Sequence, residues 1–113
     1  MVDISRASGI DLRRLTAGTA ILVVAEPYLY ELTITYRIRS LVTVNSNDPA
    51  LRGSPQGQVI QSRLNDSMRP CWIGRGLAME IRFRNGNYVS PPVTSASVRG
   101  LRDDGTAWSY EVF

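Results

Sequence analysis

The most regular feature of the chain is a two-residue alternation of apolar and polar positions. Leu77, Met79, Ile81 and Phe83 alternate with one alanine and three charged residues. Successive side chains of a strand point to opposite faces, so this period predicts a half-buried β-strand. A similar alternation over residues 30–37 predicts a second strand with one wet face.

Shorter apolar runs, bounded by turn-forming residues, predict further strands. They cover residues 20–25, 41–45, 59–64, 88–90, 93–98 and 108–112. The run 20–25 is uninterrupted and predicts a buried strand. Asn85-Gly86 and Asp103-Asp104-Gly105 predict hairpin turns, because they tolerate the backbone angles that tight turns need. Pro91 and Pro92 have no backbone N–H to donate to a neighbouring strand, so this stretch is expected at a sheet edge or bend.

The N-terminal segment has a different spacing. Ile10, Leu12 and Leu15 are spaced as on one face of a helix, Ser8 can cap its start and Gly18 can end it. This pattern allows one short N-terminal helix.

Two segments are predicted to be connections between strands. Residues 46–57 carry two prolines and two glycines with little apolar content, which predicts a long surface connection. Residues 65–76 are punctuated by Pro70, Gly74 and Gly76, which predicts a loop.

These elements predict an all-β fold made of about seven short strands. Short strands at regular spacing, with almost no helix between them, favour antiparallel pairing in a small β-barrel or sandwich. We favour the barrel. A chain of 113 residues has the common size of one domain, so residues 1–113 are expected to form a single β domain.

The composition indicates a soluble, cytoplasmic protein. The longest apolar run, residues 20–25, is far shorter than the roughly 20 residues that span a bilayer. Charged residues interrupt the first fifteen positions, so no signal-peptide core can be drawn. A single cysteine, Cys71, cannot form an internal disulfide, which favours a reducing compartment.

The absence of two residue types restricts the chemistry. The chain has no histidine, and all 13 basic residues are arginines. Histidine-assisted nucleophiles and lysine bases are therefore excluded within one chain. One cysteine cannot complete a zinc site, so no metal and no cofactor are expected.

Carboxylates remain as candidate acids and bases. Two of them could act as a general acid and base, and the candidates are Glu26, Glu31, Asp66, Glu80 and Glu111. Nothing in the sequence pairs any two of them, and a cross-strand charge pair explains Glu80 without catalysis. An enzyme is therefore the least favoured class.

Arginines form the first candidate binding feature. Arg37 and Arg39 are placed on the polar face of one predicted strand, and Arg82 and Arg84 on that of another. If these strands are neighbours, four guanidinium groups share a surface suited to nucleic-acid phosphates. Coding bias and the ordinary solvated face of a soluble sheet explain the same residues without a ligand.

The second candidate is the apolar content of the predicted loop. Met68, Cys71, Trp72 and Ile73 are expected to be buried or exposed together. Buried, they would plug the end of a barrel. Exposed, they would form a contact surface whose residues are Met68, Arg69, Trp72, Ile73 and Arg75.

We favour a non-enzymatic protein-binding or self-assembly module, with a protein partner or further copies of itself. A nucleic-acid-binding β-barrel that uses the arginine face is the alternative. No membrane partner is expected.

Overall fold

The computed structural model describes residues 8–53, 55–64 and 67–113. Within these residues the chain forms β-strands and two short 3-10 helices, Leu12–Arg14 and Pro49–Leu51. The strands are β1 (Gly9–Asp11), β2 (Ala20–Ala25), β3 (Tyr28–Tyr36), β4 (Leu41–Ser46), β5 (Gln56–Leu64), β6 (Ser67–Pro70), β7 (Trp72–Gly74), β8 (Ala78–Phe83), β9 (Gly86–Pro92), β10 (Ser95–Leu101) and β11 (Ala107–Glu111). No helix in these ranges is long and apolar enough to cross a membrane.

The strands form one large and one small antiparallel sheet. The large sheet has the order β11-β10-β2-β3-β4-β5-β8-β9, and β6 pairs with the part of β5 that extends past β4. The small sheet contains β1 and β7. The expectation of a predominantly β, antiparallel fold is confirmed.

The large sheet is open, so the prediction of a barrel was wrong and the sandwich-like alternative is supported. Its ends are β11 and β9, which do not pair with each other. The sheet nevertheless folds back on itself. Tyr88 of β9 packs edge-on against Tyr30 of β3, with ring centroids 6.1 Å apart, although three strands lie between them in the sheet order.

The core lies on the concave face of this folded sheet. Rows of directly opposed residues cross it, such as Val98, Ile21, Leu32 and Val44 on four successive strands, all of them buried. The strand 20–25 follows the same alternation, with its other side chains only half-buried. It therefore has one wet face and is not buried on both sides as its sequence predicted.

The predicted N-terminal helix is absent from the described residues. Ile10 lies in β1, where Gly9–Asp11 pairs with Trp72–Gly74. The turn that follows is a single 3-10 turn capped by Asp11, whose carboxylate accepts a hydrogen bond from the Arg13 amide. Ser8 is not a cap; its carbonyl accepts a hydrogen bond from the Arg75 amide. Strand pairing thus uses the backbone groups that a helix would have needed.

The connection 46–57 is more structured than its composition predicted. Asp48 caps the 3-10 helix Pro49–Leu51 by accepting a hydrogen bond from the Ala50 amide. Leu51 is buried in the core. This short helix anchors the connection. Strand β5 already begins at Gln56, within the segment that was predicted to be a connection.

The prediction of a loop over 65–76 was wrong for residues 67–70 and 72–74, whereas residues 71, 75 and 76 do lie in turns; Asn65 and Asp66 lie outside the described residues. Ser67–Pro70 and Trp72–Gly74 are strands that pair with β5 and β1. Cys71 lies between them with a φ of 54°, which turns the chain sharply. With these strands and β1, the described residues contain eleven strands and not about seven.

Candidate functional site

The side chains predicted to form a contact surface do not share one environment. Ile73 is fully buried, Trp72 and Cys71 are half-buried, and Met68 is 56% exposed. The expectation that they would be buried or exposed together is therefore wrong. Ile73 belongs to the core, because its position in β7 points inward next to Leu12 and the other buried residues.

Trp72 lies over a gap left by two glycines. Gly9 and Gly74 are directly opposed on β1 and β7, and a Cβ on either would come within 3 Å of the indole ring. The Arg69 guanidinium lies 3.4 Å from the ring centroid, a cation–π contact. The indole thus contacts both the glycine backbone and the guanidinium.

Met68 and Arg75 are not part of this stack. Neighbouring residues of β6 point to opposite faces, so Met68 lies on the face opposite to Arg69. Its sulfur is 3.1 Å from the side-chain amide of Gln61. Arg75 is exposed in the turn after β7. Of the five predicted residues, the structure brings together Arg69 and Trp72.

The four arginines of the second hypothesis are all exposed, but three of them are in turns. Arg37 and Arg39 follow the end of β3, and Arg84 lies in the turn after β8. Only Arg82 is on a strand face. The predicted placement on strand faces is therefore wrong for three of the four, and the condition that the two strands be neighbours is not met, because β4 and β5 separate β3 from β8.

One cross-strand row still connects these arginines. Tyr36, Leu41, Gln58 and Arg82 are opposed in succession across β3, β4, β5 and β8. Tyr36 is 48% exposed and directly precedes Arg37. An exposed aromatic ring therefore lies next to Arg37, at the opposite end of this row from Arg82.

Glu80 is buried and bound by several donors. Its carboxylate accepts hydrogen bonds from Gln61 at 3.0 Å, Asn87 at 3.0 Å and Arg63 at 3.3 Å. These partners lie on both neighbouring strands, β5 and β9. Its position on a nominally polar face is explained by this cross-strand network, which includes the ion pair with Arg63.

A second network joins Asp48 to two tyrosines. The Tyr88 hydroxyl donates to the Asp48 carboxylate at 2.5 Å. Since Tyr88 has one hydroxyl proton, Tyr30 must donate to it, across an oxygen–oxygen distance of 2.5 Å. Burial, reinforced by the hydrogen bond to Asp48, raises the pKa of Tyr88 above its ordinary value. Burial likewise raises the pKa of Tyr30.

The two buried carboxylates do not face each other. Asn87 binds Glu80 and Tyr88 binds Asp48, and adjacent residues of β9 point to opposite faces of the sheet. Each carboxylate is held by neighbours that stabilise the fold. Among the described residues, no group of three or more His, Cys, Asp or Glu side chains could hold a metal ion.

The edge strands of the large sheet have backbone hydrogen-bonding groups on one side that face no neighbouring strand in the described part of the chain. Among the described residues, β6, β9 and β11 each pair along one side only. Two of these strands contain prolines: Pro70 in β6, and Pro91 and Pro92 in β9. The sequence of β11, Ala-Trp-Ser-Tyr-Glu, contains none.

The β11 edge carries two stacked aromatic rings. Trp108 and Tyr110 are separated by 5.7 Å between centroids and inclined by 16°. The indole lies against Gly100 on β10, where a Cβ would come within 2.7 Å of the ring. Tyr110 is 54% exposed although the residue opposite it, Val98, is buried. The aromatic face of β11 therefore extends past the core.

Two clefts border the same hairpin. One, of about 560 Å³, lies on the outer face and is lined by Leu22, Leu29, Glu111 and Phe113 among others. The other, also about 560 Å³, lies between residues 16–20 and the β10–β11 hairpin. Sequence reasoning identified the strand at 108–112 but missed that it is an edge. The proline-free aromatic alternation was a signal that could have found it.

No family model, curated protein or solved structure matches the chain. Its function must be inferred from the geometry of its own sites.

Proposed function

We propose that the protein is a non-enzymatic protein-binding module that adds a strand of another polypeptide to its β11 edge. The observation that carries this proposal is the contrast among the three edge strands of the large sheet. β6 and β9 contain prolines, and β11 contains none. A free edge offers a row of backbone donors and acceptors to any strand that can align with it.

Edge prolines are a means of blocking such pairing. A proline has no backbone N–H and cannot complete a ladder, so strands that must stay unpaired often contain one. Two of the three edges are protected in this way. The unprotected edge is the one that a binding function would use.

The aromatic pair supplies the side-chain part of the contact. Trp and Tyr are enriched among residues that dominate binding energy, because each buries a large rigid surface at a small entropic cost. Trp108 and Tyr110 lie on one face of β11, and two clefts flank the hairpin. A partner strand would cover both rings.

The Arg69–Trp72 stack is a second contact region within the same proposal. Arg69 and Trp72 are residue types expected of an interface, and Arg75 is exposed in the turn after β7, whereas Met68 lies on the opposite face of β6. A cytoplasmic location suits such a module, since its single cysteine, Cys71, is free.

The test is selection of strand peptides from a displayed random library on the wild-type protein and on Ser109→Pro. The Ser109 N–H points away from β10, as derived below, so proline blocks the edge without removing a bond within the chain. Peptides should bind the wild type and lose at least about tenfold in affinity for Ser109→Pro. Ser109→Thr is the matched control and should bind normally. Equal binding to all three variants, or no selected peptide for a protein that is also monomeric, would contradict the proposal.

A nucleic-acid-binding surface is the second candidate, supported by the row that joins Tyr36 to Arg82. Here the ring would stack on a base while the arginines contact phosphates. Replacing Arg37, Arg39, Arg82 and Arg84 by glutamine should weaken oligonucleotide binding and flatten its salt dependence, because fewer counterions are released. A mobility-shift titration at about 50 mM salt measures this. The absence of any shift for the wild-type protein there would eliminate this candidate.

A further inference from the structure

We infer that the strand bound by β11 is β11 of a second copy, paired antiparallel about a two-fold axis at Ser109. This inference rests on the proposed function and names its partner. It follows from the hydrogen-bonding direction of each residue in β11 and from the side chains that self-pairing would oppose.

The direction of each backbone group follows from the pairing with β10. The amide of Arg102 donates to Thr106, and that of Val112 donates to Ala96. In an antiparallel ladder the bonded pairs alternate, so Trp108 and Tyr110 also direct their backbone groups toward β10. The backbone groups of Ala107, Ser109 and Glu111 therefore point outward.

These three outward residues match themselves in one antiparallel register. With Ser109 opposite Ser109 of the second copy, Ala107 lies opposite Glu111 and Glu111 opposite Ala107. Every outward N–H and C=O of the strand then meets a partner, which gives about six backbone hydrogen bonds. A shift by two residues would leave some of these groups unpaired.

The same register pairs the aromatic residues. Trp108 lies opposite Tyr110 of the second copy, and Tyr110 opposite Trp108, on the two sides of the axis. These are non-hydrogen-bonded pairs, in which side chains approach most closely, and aromatic pairs at such positions stabilise sheets.

The opposite face carries no like-charge conflict. Glu111 faces Ala107 and not its own copy, and Ser109 faces Ser109. The nearest cation on that face, Arg99, is paired with Glu31 of its own chain. The register therefore combines two aromatic pairs on one face with no unfavourable pair on the other.

Cysteine cross-linking tests the register. In a Cys71→Ser background, Ser109→Cys places two thiols at the axis, where the Cα atoms of a bonded pair are about 5.5 Å apart, within disulfide range. Ala107→Cys is the matched control. It lies on the same strand and face and is equally exposed, but its copy is about 13 Å away along the strand.

Mild oxidation should convert Ser109→Cys to a covalent dimer while Ala107→Cys stays monomeric on a non-reducing gel. Sedimentation equilibrium should show wild-type protein approaching twice the 12.5 kDa chain mass as concentration rises. Ser109→Pro should raise the dimer dissociation constant at least about tenfold. Circular dichroism checks that each variant is folded.

Equal cross-linking of both cysteine variants would contradict the proposed register. A wild-type protein that is monomeric at every concentration would contradict the inference that the partner is a second copy. The proposed function fails separately. If the protein stays monomeric but selected peptides still need an open Ser109 edge, the module binds other strands. If neither occurs, both proposals fail.

Discussion

Tyr88 illustrates how one side chain can connect distant parts of a fold. Its hydroxyl links Asp48, in the connection before the second 3-10 helix, to Tyr30 on β3. All three groups lie in or near the core, where an unpaired polar group is costly. The network therefore holds the last strand of the sheet against its middle.

Tyr88→Phe should destabilise the fold by about 1–3 kcal/mol, because Asp48 keeps its buried carboxylate and loses a donor. Urea denaturation at neutral pH measures this. Tyr36→Phe is the control, since Tyr36 is exposed, and its midpoint should match the wild type. Equal midpoints for Tyr88→Phe and the wild type would contradict the importance of the network.

The same residue sets a pH dependence. Its pKa is raised in the folded state, so the neutral phenol is favoured by folding and its stabilisation is present below the unfolded pKa of about 10. Stability should fall as pH rises above about 10, and Tyr88→Phe should lose less stability over this range than the wild type. Parallel losses in the two proteins would show that other groups cause the alkaline transition.

At the scale of the element, the β6–β7 corner depends on packing between one indole and two glycines. Trp72→Ala would remove the ring that fills the space over Gly9 and Gly74 and that supports Arg69. We expect a cost of about 2–4 kcal/mol, somewhat below that of a fully buried tryptophan. Gly74→Ala should also destabilise, because its Cβ would come within 2.6 Å of Leu77 Cδ1 and within 2.8 Å of the same ring.

The two changes should not be additive. Once Trp72 is alanine, the added methyl at position 74 meets less of its neighbourhood, so the double variant should be more stable than the sum of the single costs implies. Chemical denaturation of the four proteins gives this coupling. An unchanged melting temperature for Trp72→Ala, together with loss of partner binding, would instead favour the contact-surface hypothesis for this residue.

Strand β8 offers a simpler test of face assignment. Ile81 is fully buried and Phe83 half-buried, so Ile81→Ala should cost about 2–5 kcal/mol and Phe83→Ala somewhat less. Arg82→Ala, on the exposed face between them, should be nearly neutral. Denaturation midpoints of the three variants decide this, and a larger loss for Arg82→Ala would invert the assignment.

The sequence predicted the elements whose signal is local. Long alternating strands, hairpin turns and the edge position of Pro91-Pro92 are visible in neighbouring residues, and the structure has them. β1 and β7 are three residues long and pair across some 60 positions, so nothing in their own sequence marks them as strands. The four arginines were misplaced for a related reason. Three of them lie in turns because β3 ends at Tyr36 and β8 ends at Phe83, and the sheet order that separates the two strands depends on long-range pairing.

At the scale of the whole molecule, an open sheet must control its edges. A closed barrel has none, whereas this sheet ends at β9 and β11, and β6 adds a third short edge. Two competent edges on one molecule would let copies add without limit, while one edge used about a two-fold axis gives a closed dimer. We therefore expect the prolines of β9 to limit the size of any assembly.

Pro91 and Pro92 are adjacent, and adjacent residues of a strand direct their backbone groups to opposite sides. One of them therefore removes an outward N–H from the β9 edge. Replacing both by threonine should restore that donor in a residue favourable to strands and open a second edge. Light scattering should then show masses that exceed a dimer and grow with concentration. Adding Ser109→Pro to this variant should block β11 and stop the growth, with thermal melting confirming that both proteins are folded. A double-threonine variant with the mass of the wild type at every concentration would mean that these prolines do not limit assembly.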